Sequence, residues 1–255
     1  VDFIDVGQGD SIFIRTPDGV NALIDAGGEE YGPDVVAYLR RMGVKRLDLV
    51  VMSHPENDHI GGMSDILDAF LVGAILDSGY THASDVQERV FEIIETKKIP
   101  YHLATRDMEF RLGANAQLQV LAPGRKLVNG TKADANNNSV VVRLLFGRVR
   151  MLFPGDIEKE GEGRLIASHQ DLESQVLKVA HHGGLDSTSL EFLRLVRPEY
   201  LILSVGAGNK SGCPDRNTLQ RLSKDRTSAS LFRTDNNGTI TVRTDGRRIV
   251  VETQR

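Results

Sequence analysis

Apolar positions along the chain follow two rhythms that trade places. Short runs that are apolar throughout or at every second position occur at VDFIDV (1–6), SIFIRT (11–16), NALIDA (21–26) and LDLVVMS (47–53). Runs of this length bounded by turn residues read as strands, and Pro17, Asp18 and Gly19 supply a turn between the second and third. In PDVVAYLRRMG (33–43), Val36, Leu39 and Met42 instead return at helical spacing and the run stops at glycine. DILDAFLVG (65–73) predicts a further helix after the loop that follows the fourth strand.

The same order then recurs. SVVVRLLFGRVRMLFPGD (139–156) predicts a hairpin ending in Pro-Gly-Asp, as the first hairpin ends in Asp-Ala-Gly. A helix (157–169), a strand (174–180), a helix (187–196) and a strand (199–205) follow. Residues 231–253 predict a strand and a last hairpin, with glycine-containing turns at 236–238 and 245–246. Alternating strands and helices imply a layered α/β architecture. Two halves of like order, about 1–125 and 135–255, predict a pseudo-symmetric sandwich: two mixed sheets face to face with helices outside. No low-complexity linker divides them, so residues 1–255 are expected to form one domain.

Composition narrows the class. The 255 residues are 40% hydrophobic and 26% charged, as in an ordinary soluble protein. The longest apolar runs, such as AFLVGAIL (69–76), are far shorter than the roughly 20 residues that span a bilayer. No charged-then-apolar leader is visible. The chain opens on Val1, as expected of a processed chain or a piece of something longer. The net charge of −4 argues against a broad basic face gripping duplex DNA. The lone Cys213 excludes an internal disulfide and a multi-cysteine zinc site.

Candidate chemistry gathers just after predicted strands, where rigid ends can hold convergent donors. Asp25 follows NALI, and Asp156 follows RMLFPG. His181 and His182 follow QVLKVA. After LDLVVMS comes the densest group, SHPENDHIGGM (53–63), with His54, Glu56, Asp58 and His59 inside six residues. Two carboxylates that close together call for a cation or bases nearby. If the strands share one sheet edge, all four groups meet at one mouth as a metal site. No serine-nucleophile elbow or Walker lysine loop is present, so covalent or nucleotide-driven chemistry is not suggested.

These motifs carry a resemblance. SHPENDHIGG resembles the His-x-His-x-Asp-His motif of the metallo-β-lactamase superfamily. FIDVGQGDS (3–11), LIDAGG (23–28), NNNSVVVRL (136–144), FPGDIE (153–158), LKVAHHGG (177–184), LSVGAGN (203–209) and TDNNGTI (234–240) resemble a subgroup of it. That subgroup is the hydrolase domain of the competence DNA-uptake protein ComEC and its stand-alone relatives. The resemblance implies a four-layer αβ/βα sandwich and a centre of two divalent metal ions, Zn²⁺ or Mn²⁺. It implies that His54 and Glu56 hold the first metal, that Asp58, His59 and His181 hold the second, and that Asp156 bridges them. His182 is the alternative to His181. Asp58 and Asp156 are then the catalytic carboxylates, and Asp25 orients a ligand. Gln8, Asp10, Asn138, Ser139, His182, Asn209 and Cys213 are expected to support the site or line its substrate rim. The implied substrate is single-stranded DNA, hydrolysed by a water that the two metals activate for in-line attack. In ComEC such a domain accompanies a membrane channel, whereas other relatives stand alone and are secreted.

Three positions depart from the pattern. Glu56 stands where the superfamily most often has histidine. Asn136, Asn137 and Asn138 replace a third-motif histidine, as is usual in the subgroup. SGCP (211–214) puts Cys213 where the subgroup has histidine. The first two make one metal position oxygen-rich, so the expectation is a mixed site with its first metal weaker or Mn²⁺. Two other readings follow: a hydrolase of a small phosphoester, lactone or β-lactam, and a metal-stabilised binding module with weakened catalysis.

Overall fold

The computed structural model of the chain describes residues 1–224 and 229–255. Up to residue 103 it contains β1 (Asp2–Phe3), β2 (Ile12–Arg15), β3 (Asn21–Ile24), α1 (Gly32–Arg41), β4 (Arg46–Leu47), β5 (Leu49–Met52), α2 (Asn57–Ile60), α3 (Met63–Ala69), β6 (Leu71–Val72), β7 (Ile75–Asp77), α4 (Asp85–Lys97) and β8 (Tyr101–Leu103). Next come β9 (Glu109–Leu112), β10 (Ala116–Ala122), α5 (Asp134–Asn137), β11 (Val141–Phe146), β12 (Val149–Phe153), α6 (Lys159–Ala167), β13 (Val176–Lys178) and α7 (Leu190–Val196). The chain ends with β14 (Tyr200–Leu203), α8 (Arg216–Lys224), β15 (Ser230–Arg233), α9 (Thr234–Asn237), β16 (Ile240–Thr244) and β17 (Ile249–Thr253).

Among the described residues one large sheet runs β17-β16-β1-β2-β3-β5-β7-β8 and the other β15-β14-β13-β12-β11-β10-β9. In the first sheet β2 and β3 pair antiparallel, and β5, β7 and β8 then add parallel. In the second, β11 and β12 pair antiparallel and β13, β14 and β15 add parallel. The C-terminal hairpin returns to the first sheet, where β16 pairs with β1.

Strand alternation builds the layers. Ile12 and Ile14 face the opposite sheet, in a core that includes Leu118, Val142 and Phe153. Phe13, between them, packs with Val35, Leu39, Met63 and Val90 from α1, α3 and α4. On the other side Leu177 and Leu201 pack under Leu165, Phe192 and Leu222 from α6, α7 and α8. Because both faces of each sheet are covered, the central strands are apolar throughout rather than at every second position. This is the αβ/βα sandwich expected above, with helices outside two mixed sheets.

Some predicted boundaries move. The helix expected over 65–73 spans Met63–Ala69, because Phe70 is extended and Leu71–Val72 pairs with Arg46–Leu47 instead. The strand at 1–6 keeps only Asp2 and Phe3, and the turn at 236–238 is prefaced by the single-turn α9. α4, β8–β10 and α8 lie where no element was expected. α4 has its own start signal, Ser84, whose Oγ accepts from Gln87 N at 3.3 Å.

For function, the strand ends matter most. Asp25 follows β3, Ser53 and His54 follow β5, Asp156 follows β12, and His181 and His182 follow β13. All lie at the C-terminal ends of strands, and side chains from both sheets meet there.

Candidate metal centre

The first sheet contributes a linked set. Asp25 sits in left-handed backbone (φ 59°) and is fully buried. Its Oδ1 accepts from Ser53 N at 2.8 Å and its Oδ2 from Ser53 Oγ at 2.6 Å. Oδ2 also accepts from His59 Nδ1 at 2.8 Å. Since the Ser53 hydroxyl gives its only proton to Asp25, its oxygen accepts from His54 Nδ1, 3.0 Å away. One carboxylate therefore sets two imidazole tautomers, and both Nε2 atoms are left as lone-pair donors. His54 Nε2 is buried with no hydrogen-bond partner among the described residues. Such an orphaned nitrogen fits a cation ligand better than a packed side chain.

The second sheet closes the site. His182 Nδ1 is 2.9 Å from Ser204 O, a carbonyl that can only accept, so Nδ1 carries a proton and Nε2 is the atom turned to the cluster. His182 Nε2 lies 3.2 Å from His59 Nε2, 3.0 Å from Asp156 Oδ2 and 3.5 Å from Asp58 Oδ2. Asp156 Oδ2 is also 3.2 Å from His59 Nε2. Ligand atoms of His54, His59 and Asp156 lie within 4.8 Å of one another, as do those of Asp58, His59 and His182. The donors are nitrogens and carboxylate oxygens, the set that divalent transition metals take.

Behind this cluster lies a buried ammonium. Lys178 is the last residue of β13, on the same face as the core residue Val176, so strand alternation aims it between the sheets. Its Nζ contacts Asp156 Oδ1 at 3.0 Å, Gly155 O at 3.1 Å and Asp10 Oδ2 at 2.5 Å. Asp156 thus has one oxygen held by Lys178 and the other turned to the histidines. The loop carrying Asp10 comes close enough to do this because residue 9 is glycine. Gly9 has φ 133°, and a Cβ there would sit 2.2 Å from Asp58 O.

The expected positions divide accordingly. Asp25, His54, Asp58, His59, Asp156 and His182 converge. His181, the expected ligand, turns the other way. Its ring faces Glu158 Oε1 (3.2 Å) and Asn136 Nδ2 (3.5 Å), and it is partly exposed. Both histidines have left-handed backbone (φ 49° and 50°), a kink that breaks the strand's alternation and sends the second ring inward. Glu56 lies on the open side, its Oε2 3.9 Å from His54 Nε2. Asp10 is buried against Lys178 rather than lining a rim. Ser139 supports Asp156, whose N–H it accepts at 3.1 Å. Asn138 is buried and brackets its own loop through Val128 and Asp134. Gln8 Oε1 accepts from Gly206 N at 3.3 Å, joining two loops. Asn209 donates to Gly206 O and Cys213 O, and Cys213 Sγ lies 3.8 Å from His181 O. Sequence reasoning missed Lys178 and Ser53. A lysine inside the apolar run QVLKVA was the visible signal for the first.

Charge in the cluster is out of balance. Burial alone would lower His182, but Asp156 and Asp58 outweigh it and push the imidazole up to about 10. His59 is raised despite burial, by Asp156, Asp25 and Asp58. Burial pushes Asp58 and Asp156 up, yet the imidazoles, and Lys178 for Asp156, hold both well below the usual carboxylate range. A pocket that draws protons onto buried imidazoles favours a divalent cation in their place.

The sequence profile of the metallo-beta-lactamase superfamily matches residues 4–207. ComE operon protein 3 of Bacillus subtilis is 31% identical over 261 residues, covering 95% of this chain and 33% of that protein. Competence protein ComA of Neisseria gonorrhoeae is 31% identical over 239 residues, 92% of this chain and 31% of that protein. The chain therefore spans about a third of the length of these curated relatives. A solved metallo-beta-lactamase fold protein, YhfI of Bacillus subtilis, aligns with a TM-score of 0.54 at 11% identity, over 91% of this chain and 94% of its own.

Proposed function

This chain belongs to the metallo-beta-lactamase superfamily, and from that premise we propose that it is a metal-dependent phosphodiesterase acting on single-stranded DNA. The observation that carries the hydrolytic reading is the convergence of three imidazole Nε2 atoms, each with its Nδ1 committed elsewhere, near Asp58 and Asp156. The names of two relatives, competence protein ComA and recombination protein 2 of Haemophilus influenzae, support DNA as the substrate class.

In this reading His54 and Glu56 would hold one cation, Asp58, His59 and His182 would hold the other, and Asp156 would serve both. His182 takes the place that the sequence had assigned to His181. The bound cations supply an activated water and positive charge facing the phosphoryl oxygens. The protein's residues do the positioning. Asp25 and Ser53 keep His54 and His59 in the ligating tautomer, Ser204 O does so for His182, and Lys178 stops Asp156 from rotating. The His59 and His182 half has nitrogen donors suited to Zn²⁺. The His54 and Glu56 half is poorer in nitrogen and tolerates Mn²⁺.

A second reading, a small phosphoester, lactone or β-lactam substrate, draws on the 5% aromatic content and absence of tryptophan, which leave few platforms for stacking bases. One experiment separates the readings. The chain is loaded with Mn²⁺ or Zn²⁺, its metal content is measured, and it is assayed on labelled single-stranded DNA, bis-p-nitrophenyl phosphate, a lactone and a β-lactam. Cleavage of DNA and bis-p-nitrophenyl phosphate that Asp156→Ala abolishes is the expected result. Turnover of the lactone or β-lactam alone supports the small-substrate reading. Bound metal with no turnover of any substrate would leave a metal-stabilised binding module.

A further inference from the structure

We infer that a surface furrow between the 104–108 bend, the 123–128 loop and α6 is a phosphate-backbone subsite that holds the single strand beside the metal centre, an assignment that rests on the phosphodiesterase reading.

Three cavities join end to end here. The first, about 520 Å³, shares Arg106 and Gly124 with the second, about 250 Å³. The second shares Val128, Arg164 and Ala167 with the third, about 410 Å³. Five cations line them: Arg106, Arg125, Lys126, Lys159 and Arg164. Two acids, Asp107 and Glu160, share the lining at its outer ends, and neither lines the middle cavity. Five cations against two acids leaves the furrow at +3 in a chain whose net charge is −4. Among the described residues none of the five cations forms an ion pair, whereas Arg46, Arg89, Arg150 and Arg255 each do.

Two of the guanidiniums are also held in place. Arg106 Nε donates to Leu121 O at 3.3 Å and Arg164 Nη1 to Lys126 O at 3.1 Å. Backbone carbonyls orient these groups without cancelling their charge, so their remaining N–H groups are free for phosphate oxygens. The furrow also borders the site. The loop 134–139 lines the middle cavity with Asn137 and Asn138, while its Asn136 contacts Glu158 and its Ser139 contacts Asp156.

The test measures the salt dependence of binding of fluorescein-labelled oligo-dT by anisotropy, in EDTA so that no cleavage runs. Each phosphate contact on a single strand contributes about 0.7 to the slope of log K against log salt concentration. The variant Arg106→Gln/Lys126→Gln/Arg164→Gln should reduce that slope by about 2 and weaken binding at low salt about tenfold or more. A second variant, Arg125→Gln/Lys159→Gln, removes no backbone-held guanidinium and should reduce the slope by about 1.4. Metal-loaded hydrolysis of bis-p-nitrophenyl phosphate should be unchanged in both. An unchanged slope in both variants would overturn the assignment. So would an equal loss when three cations outside the furrow are removed (Arg40→Gln/Lys45→Gln/Arg248→Gln). If wild type turns over no phosphodiester, the hydrolase reading fails, while the slopes still decide the furrow.

Discussion

The two histidines of LKVAHHGG differ in what their rings meet, and that difference is measurable. His182→Ala should lose the metal of the Asp58 and His59 half and drop metal-dependent hydrolysis by two orders of magnitude or more, because a ligand is gone. His181→Ala should keep its metal content. Equal metal loss in both, by elemental analysis, would refute the assignment. Asp25 acts one bond further out. Asp25→Asn removes the acceptor that holds His59 and, through Ser53, His54, so metal affinity should fall about 10- to 100-fold with little change in fold. Competition with a chelator reads that directly. Lys178→Met is a stability prediction. It leaves Asp10 and Asp156 buried without their cation, which costs about 3–5 kcal/mol in the metal-free chain. Urea unfolding in EDTA measures it, and a wild-type midpoint would show that the ammonium is not the counter-charge.

At the scale of elements, the centre depends on loops that are pressed together. The Gly7–Asp10 loop lies on the backbone of α2, where Asp10 N donates to Asp58 O at 3.1 Å. Gly9→Ala would place a methyl 2.2 Å from that carbonyl. Either the loop or Asp58 must move, and the left-handed backbone adds strain of about 1–3 kcal/mol. The expected result is a lower unfolding midpoint together with weaker binding of the metal that the proposed function assigns to Asp58. A normal metal affinity with only lowered stability would mean that the loop yields and Asp58 stays. Alternation explains much of the rest. β5 and β13 each place one set of residues into the inter-sheet core and the other under helices, and the next inward residue after β5, Ser53, and the last of β13, Lys178, reach the cluster. The pattern was visible in the sequence. The exact ends were not, since a pairing partner such as Arg46–Leu47 for Leu71–Val72 comes from 25 residues away.

For the whole molecule, the centre joins the two sheets, with Asp25, His54 and His59 on one side and Asp156, Lys178 and His182 on the other. Proton binding is therefore linked to global stability. The His182 pKa, ordinarily 6.5, stands at about 10 in the folded chain. A raised pKa contributes stability that is full below 6.5 and is lost as pH rises through about 10. The EDTA-treated chain should thus show a falling Tm across that window. Cations displace the same protons, so the rise in Tm on adding Zn²⁺ or Mn²⁺ should grow with pH over the same range. A metal-free Tm that climbs between these limits would contradict the cluster as drawn.

The sequence carries the layered α/β plan, because apolar periods record which faces are covered. It also determined that carboxylates and imidazoles follow strand ends, because those are local facts of spacing. Which donors face one another is set by long-range packing. His181 and His182 are adjacent in sequence, and only a left-handed kink separates their directions. Spacing alone places Asp10 at a rim, whereas Lys178, 168 positions away, neutralises it in the interior across the sheets. Ligand tautomers were decided in the same way, since each Nδ1 proton goes to a group that packing supplies.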